Sequence, residues 1–234
     1  MANNSVNVDT VYQKVLALAN KEQRGYITPQ EFNLFAAQAQ LEIFENYFHD
    51  LKTAQLKPKN HTESGDEINL LNERISLHKV TGTVSNRSDS DGLHSLDDST
   101  YILTDVYTGA GISIEEVEAN QLRQMNLNPL LKPTADRPVF VRVSSNKIEI
   151  SGITLAECKI DFIKKPTNPN WGYVVISGKA LYNSNTSVDF DLHESEENNL
   201  VMRILELSGI TLADPNLVQL AMRDKANTKA EKNN

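Results

Sequence analysis

The amino-acid sequence predicts an α+β fold with an N-terminal helical hairpin, a mostly antiparallel β-sheet region, and C-terminal helices that end in an extended tail. Three observations predict it. Apolar residues recur with the helical period over residues 8–56, alternate with polar residues through much of residues 66–191, and return to the helical period at residues 195–209. Helices that are segregated from strands along a chain are typical of α+β proteins.

A helical hairpin is predicted at the N-terminus. A first amphipathic helix covers residues 8–20, and a longer helix runs from Thr28 to about Leu51. Thr28 is a favourable N-cap, Pro29 fits the first helical position, and Glu31 lies where a capping box places its carboxylate. The start of the long helix is therefore predicted from local sequence alone.

The long helix is apolar around most of its circumference when its residues are placed about 100° apart. The narrow polar stripe that remains consists of Gln38, Glu42, Glu45 and His49. Because an ordinary surface helix has a single apolar face, this helix is expected to be buried on several sides. Two arrangements remain open: a central helix in the chain's own core, or a helix that neighbouring subunits cover in part. The residues predicted to pack within or between subunits are Phe44, Tyr47, Phe48 and Leu51.

Strands dominate the middle of the chain, and helices return near its end. Strands are predicted at residues 75–84, 100–108, 137–145, 146–152, 158–166, 173–178 and 187–192. The first two are expected to form two antiparallel strands with a long excursion between them. Polar loops are predicted at residues 57–66 and 85–99, and helices at residues 113–126 and 195–209. Together these elements predict one α+β domain over residues 1–213, followed by a C-terminal helix and arm at residues 214–234.

The charge balance argues against duplex DNA as the principal ligand. The chain of 234 residues carries a net charge of −8, whereas binding to the phosphate backbone depends on Lys and Arg. The single cysteine, Cys158, cannot form an internal disulfide and lies in a predicted strand, where a small buried side chain is expected. No apolar run approaches the ~18–20 residues that a membrane span needs. The sequence therefore predicts a soluble protein from a reducing compartment, with no membrane partner.

No catalytic, cofactor-binding or metal-binding constellation is predicted. In the acidic loop at residues 85–99, an EF-hand alignment on Gly92 puts Arg87 at the first ligand position, which excludes that motif. The histidines lack the i, i+3 or i, i+4 spacing of a helical zinc site, and no glycine-rich phosphate loop or G-x-S-x-G motif is present. We therefore predict that the protein is not an enzyme. The less favoured alternative is a hydrolase that uses the loop carboxylates Asp89, Asp91, Asp97 and Asp98.

The only tryptophan, Trp171, has two interpretations. As an exposed residue it would anchor an interface, because tryptophan is enriched at binding hot spots. As a buried residue it would cover the edge of the core, and this second interpretation is favoured.

The C-terminal tail differs in charge from the rest of the chain. From Arg223 to Asn234 it carries four basic and two acidic residues. A last helix that begins at Asp214 and Pro215 is predicted before it, and we expect this end of the chain to form an arm that docks on a partner or on a neighbouring copy. The predicted arm residues are Leu217, Val218, Met222, Arg223, Lys225, Lys229 and Lys232.

Two stretches carry a resemblance to a known family. The segment VYQKVLALANKEQRGYITPQEFNLFAAQAQLEIFENYF at residues 11–48 resembles the start of virion structural proteins from tailed bacteriophages, especially short-tailed phages of the crAss-like type. The second half combines a strand cluster, the turn KKPTNPNWGY, and SVDFDLHESEENNLVMRILELSGI ahead of a charged tail. This layout is similar to that of head-to-tail connector, or neck ring, proteins.

The resemblance implies a structural role in the virion neck or tail, after synthesis in the cytoplasm of the host bacterium. Such proteins form rings beneath the portal, commonly of twelve copies, through which DNA passes without specific binding. In several of these families a C-terminal arm reaches the neighbouring ring or the portal. The implied partners are copies of the same chain, the portal protein, and other neck or tail proteins. The alternative is a tail-completion or capsid accessory protein, and a virion-associated hydrolase is less favoured.

Overall fold

The computed structural model describes residues 5–21, 26–56, 62–84, 93–153 and 158–209. Within them lie helices α1 (Val8–Lys21), α2 (Pro29–Leu56), α3 (Thr62–Ser76), α4 (Ala119–Leu127) and α5 (Glu197–Leu207), and a short 3-10 turn (Glu194–Glu196). The strands are β1 (Ser5–Val6), β2 (Lys79–Thr83), β3 (His94–Ser95), β4 (Thr100–Thr108), β5 (Glu115–Glu116), β6 (Val139–Ser144), β7 (Lys147–Ser151), β8 (Cys158–Lys164), β9 (Tyr173–Ile176), β10 (Lys179–Tyr182) and β11 (Phe190–His193). The predicted α+β class is confirmed.

The chain divides into two compact units. Unit 2 is the continuous segment His78–Lys165, and unit 1 combines the residues before and after it. The single domain predicted over residues 1–213 stays a prediction, because compactness does not measure whether a unit folds alone.

Unit 1 is organised around α2. This helix packs along α3 and α5 and contacts β11, while α1 packs on α5. The ring of Tyr12 on α1 lies 4.7 Å from that of Phe32 on α2, centroid to centroid. Two small antiparallel sheets, β1–β11 and β9–β10, complete the unit. The long helix that the sequence singles out is thus the element on which the other parts of unit 1 pack.

The capping box at the start of α2 is confirmed. The Thr28 backbone N–H donates to Glu31 Oε2 at 3.0 Å, and the Glu31 N–H donates to Thr28 Oγ1 at 3.3 Å. The Thr28 hydroxyl also donates to Glu31 Oε2, at 2.7 Å, and the hydrogen bonds from the Thr28 N–H and hydroxyl to this carboxylate lower the pKa of Glu31. The two hydrogen bonds that involve backbone N–H groups complete the capping box. They supply partners for backbone groups that a helix start otherwise leaves unsatisfied.

Unit 2 contains two sheets, of strand order β2-β8-β4 and β3-β7-β6-β5. Its pairs are antiparallel except β5–β6, which is parallel. The core between them includes the buried side chains of Val106, Phe140, Ile148, Cys158 and Ile160. The prediction of a buried strand cysteine is therefore confirmed, and burial raises the pKa of the Cys158 thiol.

Four predicted elements are wrong in type or extent. Residues 62–66 belong to α3 rather than to a loop, and α3 continues to Ser76, inside the predicted strand 75–84. The helix predicted from residue 113 begins six residues later, at Ala119, because residues 115–116 instead pair with β6. Part of the predicted polar loop 85–99 is strand β3, in which His94 is buried.

Two further differences concern pairing. β2 and β4 do not pair with each other, since β8 lies between them and is antiparallel to both. The sequence predicts β9 but not its partner β10. The C-terminal helix and arm at residues 214–234, like loop residues 85–92, lie outside the described residues.

Candidate assembly surfaces

The four residues predicted to pack within or between subunits divide into two pairs. Phe44 and Tyr47 are buried inside unit 1, whereas Phe48 and Leu51 are half-buried. The rings of Phe44 and Phe48 meet edge to face, with centroids 5.1 Å apart. On another side of the same helix, Leu34 is 72% exposed. The chain's own α3, α5 and β11 thus cover the innermost residues of α2, and no neighbour is needed for them.

Gln40 is the polar exception on the buried face of α2. It is only 1% exposed. Its Nε2 donates to the Thr167 carbonyl oxygen at 2.7 Å, and its Oε1 accepts from the Asp191 N–H at 2.9 Å. One buried amide therefore ties α2 to β11 and to the proline-containing segment that precedes β9.

We expect the variant Gln40→Leu to lower the free energy of unfolding by about 1–3 kcal/mol, because it removes the buried amide that pairs with the Thr167 carbonyl and the Asp191 N–H. Denaturant unfolding followed by circular dichroism measures this loss. The matched control is Gln38→Leu on the exposed side of the same helix, which should stay within about 0.5 kcal/mol of the natural chain. Equal effects of the two variants would contradict the role of the Gln40 amide.

A buried ion pair joins α3 to the start of α5. Glu196 in the 3-10 turn is 5% exposed. Its Oε1 lies 2.6 Å from Nη1 of Arg74, and its Oε2 accepts from Asn199 Nδ2 at 3.0 Å. The Arg74 guanidinium also lies over the Tyr47 ring, 5.8 Å from its centroid. Burial, followed by the Glu196 charge, raises the pKa of Tyr47. Charges from two helices and an aromatic ring from a third thus meet in one buried cluster.

Trp171 is buried, at 2% exposure, so the favoured interpretation is confirmed. Its Nε1 donates to Asp9 Oδ1 at 2.8 Å, and its backbone N–H donates to Asn33 Oδ1 at 2.8 Å. Its ring packs against Tyr12, with centroids 4.3 Å apart. Trp171 is therefore fixed to both α1 and α2, at the point where the chain enters β9.

The β9–β10 hairpin contacts the rest of unit 1 through the residues at its base. Cross-strand partners lie on the same face of a hairpin. Tyr173 and Tyr182 are such partners, and each ring lies 5.8 Å from that of Trp171. The turn residues Ser177 and Gly178 both have positive φ, 52° and 77°, as a two-residue type I′ turn requires.

Beyond its base, the hairpin exposes aliphatic side chains on both faces. Val175 is 65% exposed and Ile176 is 56% exposed, and Val174 and Leu181 on the face away from the tyrosines are also exposed. The only charged residue in the two strands is Lys179. Natural proteins protect open sheet edges with charges, proline or bulges, yet no described strand pairs with either outer edge of this hairpin. We call residues 173–182 the aliphatic hairpin.

Unit 2 has a smaller exposed apolar site after α4. Leu127 and Leu130 are 84% and 91% exposed, and Leu131 is also exposed. The loop has a defined backbone, since the Leu130 N–H donates to Asn128 Oδ1 at 3.0 Å and the Leu131 N–H donates to the Asn128 carbonyl. This loop is a second surface on which another protein could pack.

Two of the four carboxylates of the alternative hydrolase, Asp97 and Asp98, lie among the described residues, and each takes part in a hydrogen bond. Asp97 accepts from the Ser99 side chain and N–H, which lowers its pKa and forms the turn into β4. Asp98 accepts from Asn146 Nδ2 at 3.2 Å, and Asp89 and Asp91 lie outside the described residues. Over the described ranges, no three His, Cys, Asp or Glu side chains are grouped as a metal site requires.

The predicted arm residues, from Leu217 to Lys232, lie outside the described residues. No helix among those that are described combines the length and apolar character needed to cross a bilayer. In comparisons with known proteins, no family model matches the chain and no curated relative is found.

Proposed function

We propose that this chain is a structural virion protein, a head-to-tail connector subunit that forms a ring between the portal and the tail of a short-tailed bacteriophage. The observation that carries the proposal is the aliphatic hairpin, together with the sequence resemblance. Contiguous exposed apolar patches of about 300–600 Å² on soluble proteins often mark interaction sites. An aliphatic surface on a rigidly anchored hairpin is what a subunit that packs against neighbours needs.

A closed ring places a specific demand on its subunits. Each copy contacts two neighbours through two different surfaces, and the contact closes by rotation. The net charge of −8 supports a role in the DNA channel, because an acidic wall repels the phosphate backbone and lets DNA slide past. In this proposal twelve copies form the ring, the portal and other neck or tail proteins are the partners, and no catalytic group takes part.

The oligomeric state tests this function most directly. Mass photometry of the purified full chain, alone and with a candidate portal protein, is expected to give a closed ring in at least the second sample. Rings alone and rings formed only on the portal both support the proposal. A monomer that ignores the portal would overturn it and favour an accessory protein of the tail or capsid.

Deleting residues 223–234 is expected to leave the subunit folded but to prevent it from joining the partner ring, because the basic end of the arm is lost. Circular dichroism measures folding, and mass photometry with the portal measures joining. A control of full length replaces Lys225, Lys229 and Lys232 with glutamine and should weaken joining if charge is the cause. An unfolded truncated chain, or one that assembles normally, would contradict the predicted arm.

A further inference from the structure

The aliphatic hairpin presents an apolar surface without a partner among the described residues. Its two faces carry Val174 with Leu181, and Val175 with Ala180, as cross-strand pairs. A two-stranded hairpin is marginally stable in water, whereas a third strand or a packed helix makes it stable. The tyrosine rings at its base pack against Trp171, and the aliphatic side chains of Val174, Val175, Ile176 and Leu181 are exposed.

The same chain contains a second apolar stretch. The sequence has 25 residues beyond Gly209, where the described part ends, and the apolar stretch is the first part of them. Residues 210–222 (ITLADPNLVQLAM) contain a single charged residue, Asp214, and the basic residues of the arm begin only at Arg223. A stretch with this composition gains free energy when it is removed from water.

The aliphatic hairpin and the apolar stretch at residues 210–222 differ from each other, and this difference determines which symmetry a contact between copies would have. A two-fold contact needs one surface that is complementary to itself, whereas a ring needs two different surfaces that are complementary to each other. An aliphatic hairpin and a separate apolar segment form such a pair. Both are aliphatic, and the hairpin carries one basic residue, Lys179, where the segment carries one acidic residue, Asp214.

The length of the segment permits exchange between copies. Fully extended, the 13 residues 210–222 reach about 45 Å, whereas a globular chain of this size has a radius of gyration of only ~17–18 Å. The basic residues begin only after this stretch, at Arg223, so docking of residues 210–222 leaves them for the contact with the partner ring that the proposed function assigns to them.

We propose that the aliphatic hairpin of each copy is the docking site for residues 210–222 of a neighbouring copy. This inference rests on the proposed ring, since it requires a neighbour on either side. It identifies the surface that receives the arm and makes Leu217 and Val218 contact residues of the hairpin. In this arrangement the segment adds along the outer edge of β9, where it lies next to both Val175 and Ile176, whose side chains are on opposite faces of the hairpin.

Mixing two single-cysteine chains tests the contact. Full-length chains carry Cys158→Ala, and one also carries Val175→Cys while the other carries Leu217→Cys. They are mixed at tens of micromolar, with and without the portal, and oxidised. We expect a disulfide-linked pair of the two different chains at a yield at least ~10-fold above that of the control, because docking raises the effective concentration of the thiols. The matched control replaces Val175→Cys with Val143→Cys, on an exposed strand residue of unit 2.

A second pair, Ile176→Cys with Leu220→Cys, guards against a variant that misfolds. No cross-link above the control with either pair overturns the proposal. A chain that carries both Val175→Cys and Leu217→Cys is oxidised in parallel. A disulfide that forms only within this chain, and not between the two different chains, also overturns the proposal, because the segment then packs on its own hairpin. Mass photometry of the same samples shows separately whether rings form. Rings without cross-links contradict the docking site but support the proposed function. Cross-linked linear assemblies without rings support the docking site but contradict the proposed ring.

Discussion

Replacing Phe44 with alanine is expected to lower the free energy of unfolding by about 3–5 kcal/mol, because truncating a fully buried aromatic ring loses its burial and leaves a cavity. Phe44 has no exposed surface and packs edge to face on Phe48. Guanidinium unfolding of the subunit under conditions where it is monomeric measures this loss. The monomeric condition matters, since any effect there comes from the chain's own core.

The control for this variant is Leu34→Ala on the same helix. Leu34 is 72% exposed, so its removal should change stability by no more than about 0.5 kcal/mol. Phe48→Ala and Leu51→Ala remove half-buried side chains and are expected to fall between these limits. If Phe44→Ala left the monomer as stable as Leu34→Ala does, the assignment of α2 to the core of its own unit would be wrong.

The start of α2 could be predicted because its determinants are local. Thr28 and Glu31 are three residues apart, and their reciprocal hydrogen bonds depend only on the first turn of the helix, not on contacts with distant parts of the chain. The burial of Cys158 followed from its place in an alternating strand. The choice between a core helix and a subunit contact could not be made from periodicity, because a helix buried by its own chain and one buried by a neighbour have the same pattern.

Elements that depend on partners distant in the sequence are not predicted by local sequence patterns. Glu115 and Glu116 follow a serine that is typical of a helix start, yet they form a strand because β6, more than twenty residues later, pairs with them. The start of α3 lay in a stretch rich in Lys, Asn, Ser and Gly, and only the spacing of Leu71 and Ile75 on its buried side signalled a helix. β10 is short and its pattern KALY is ambiguous until the positive-φ turn before it is known.

The candidate surface was predicted only in part. Trp171 is buried, as the sequence predicts, but the exposure of Val175 and Ile176 has no signature in the sequence, since the pattern YVVI is that of an ordinary buried strand. What distinguishes it is the lack of a described partner on either outer edge of the hairpin, which is a property of the fold. Ionic contacts such as that of Glu196 with Arg74, 122 positions apart, are likewise set by tertiary structure.

Replacing Glu196 with alanine is expected to cost about 3–5 kcal/mol of stability, because it leaves the partly buried Arg74 guanidinium without its carboxylate. The loss should exceed that of an exposed ion pair, which contributes about 0–1 kcal/mol. Glu194→Ala in the same turn is the matched control, since Glu194 is exposed and its removal should be nearly neutral. Denaturant unfolding of both variants gives the comparison.

A double variant separates the effect of the unpaired charge from that of the pair itself. Arg74→Met combined with Glu196→Leu removes both charges and keeps apolar bulk in their place, and replacements of this kind are often neutral or stabilising. We therefore expect the double variant to be more stable than Glu196→Ala, although it changes more atoms. A double variant as unstable as the single one would show that the 2.6 Å contact positions α3 against α5 in a way that apolar packing cannot replace. In that case the pair would set how these helices meet α2, because Arg74 also lies over the Tyr47 ring.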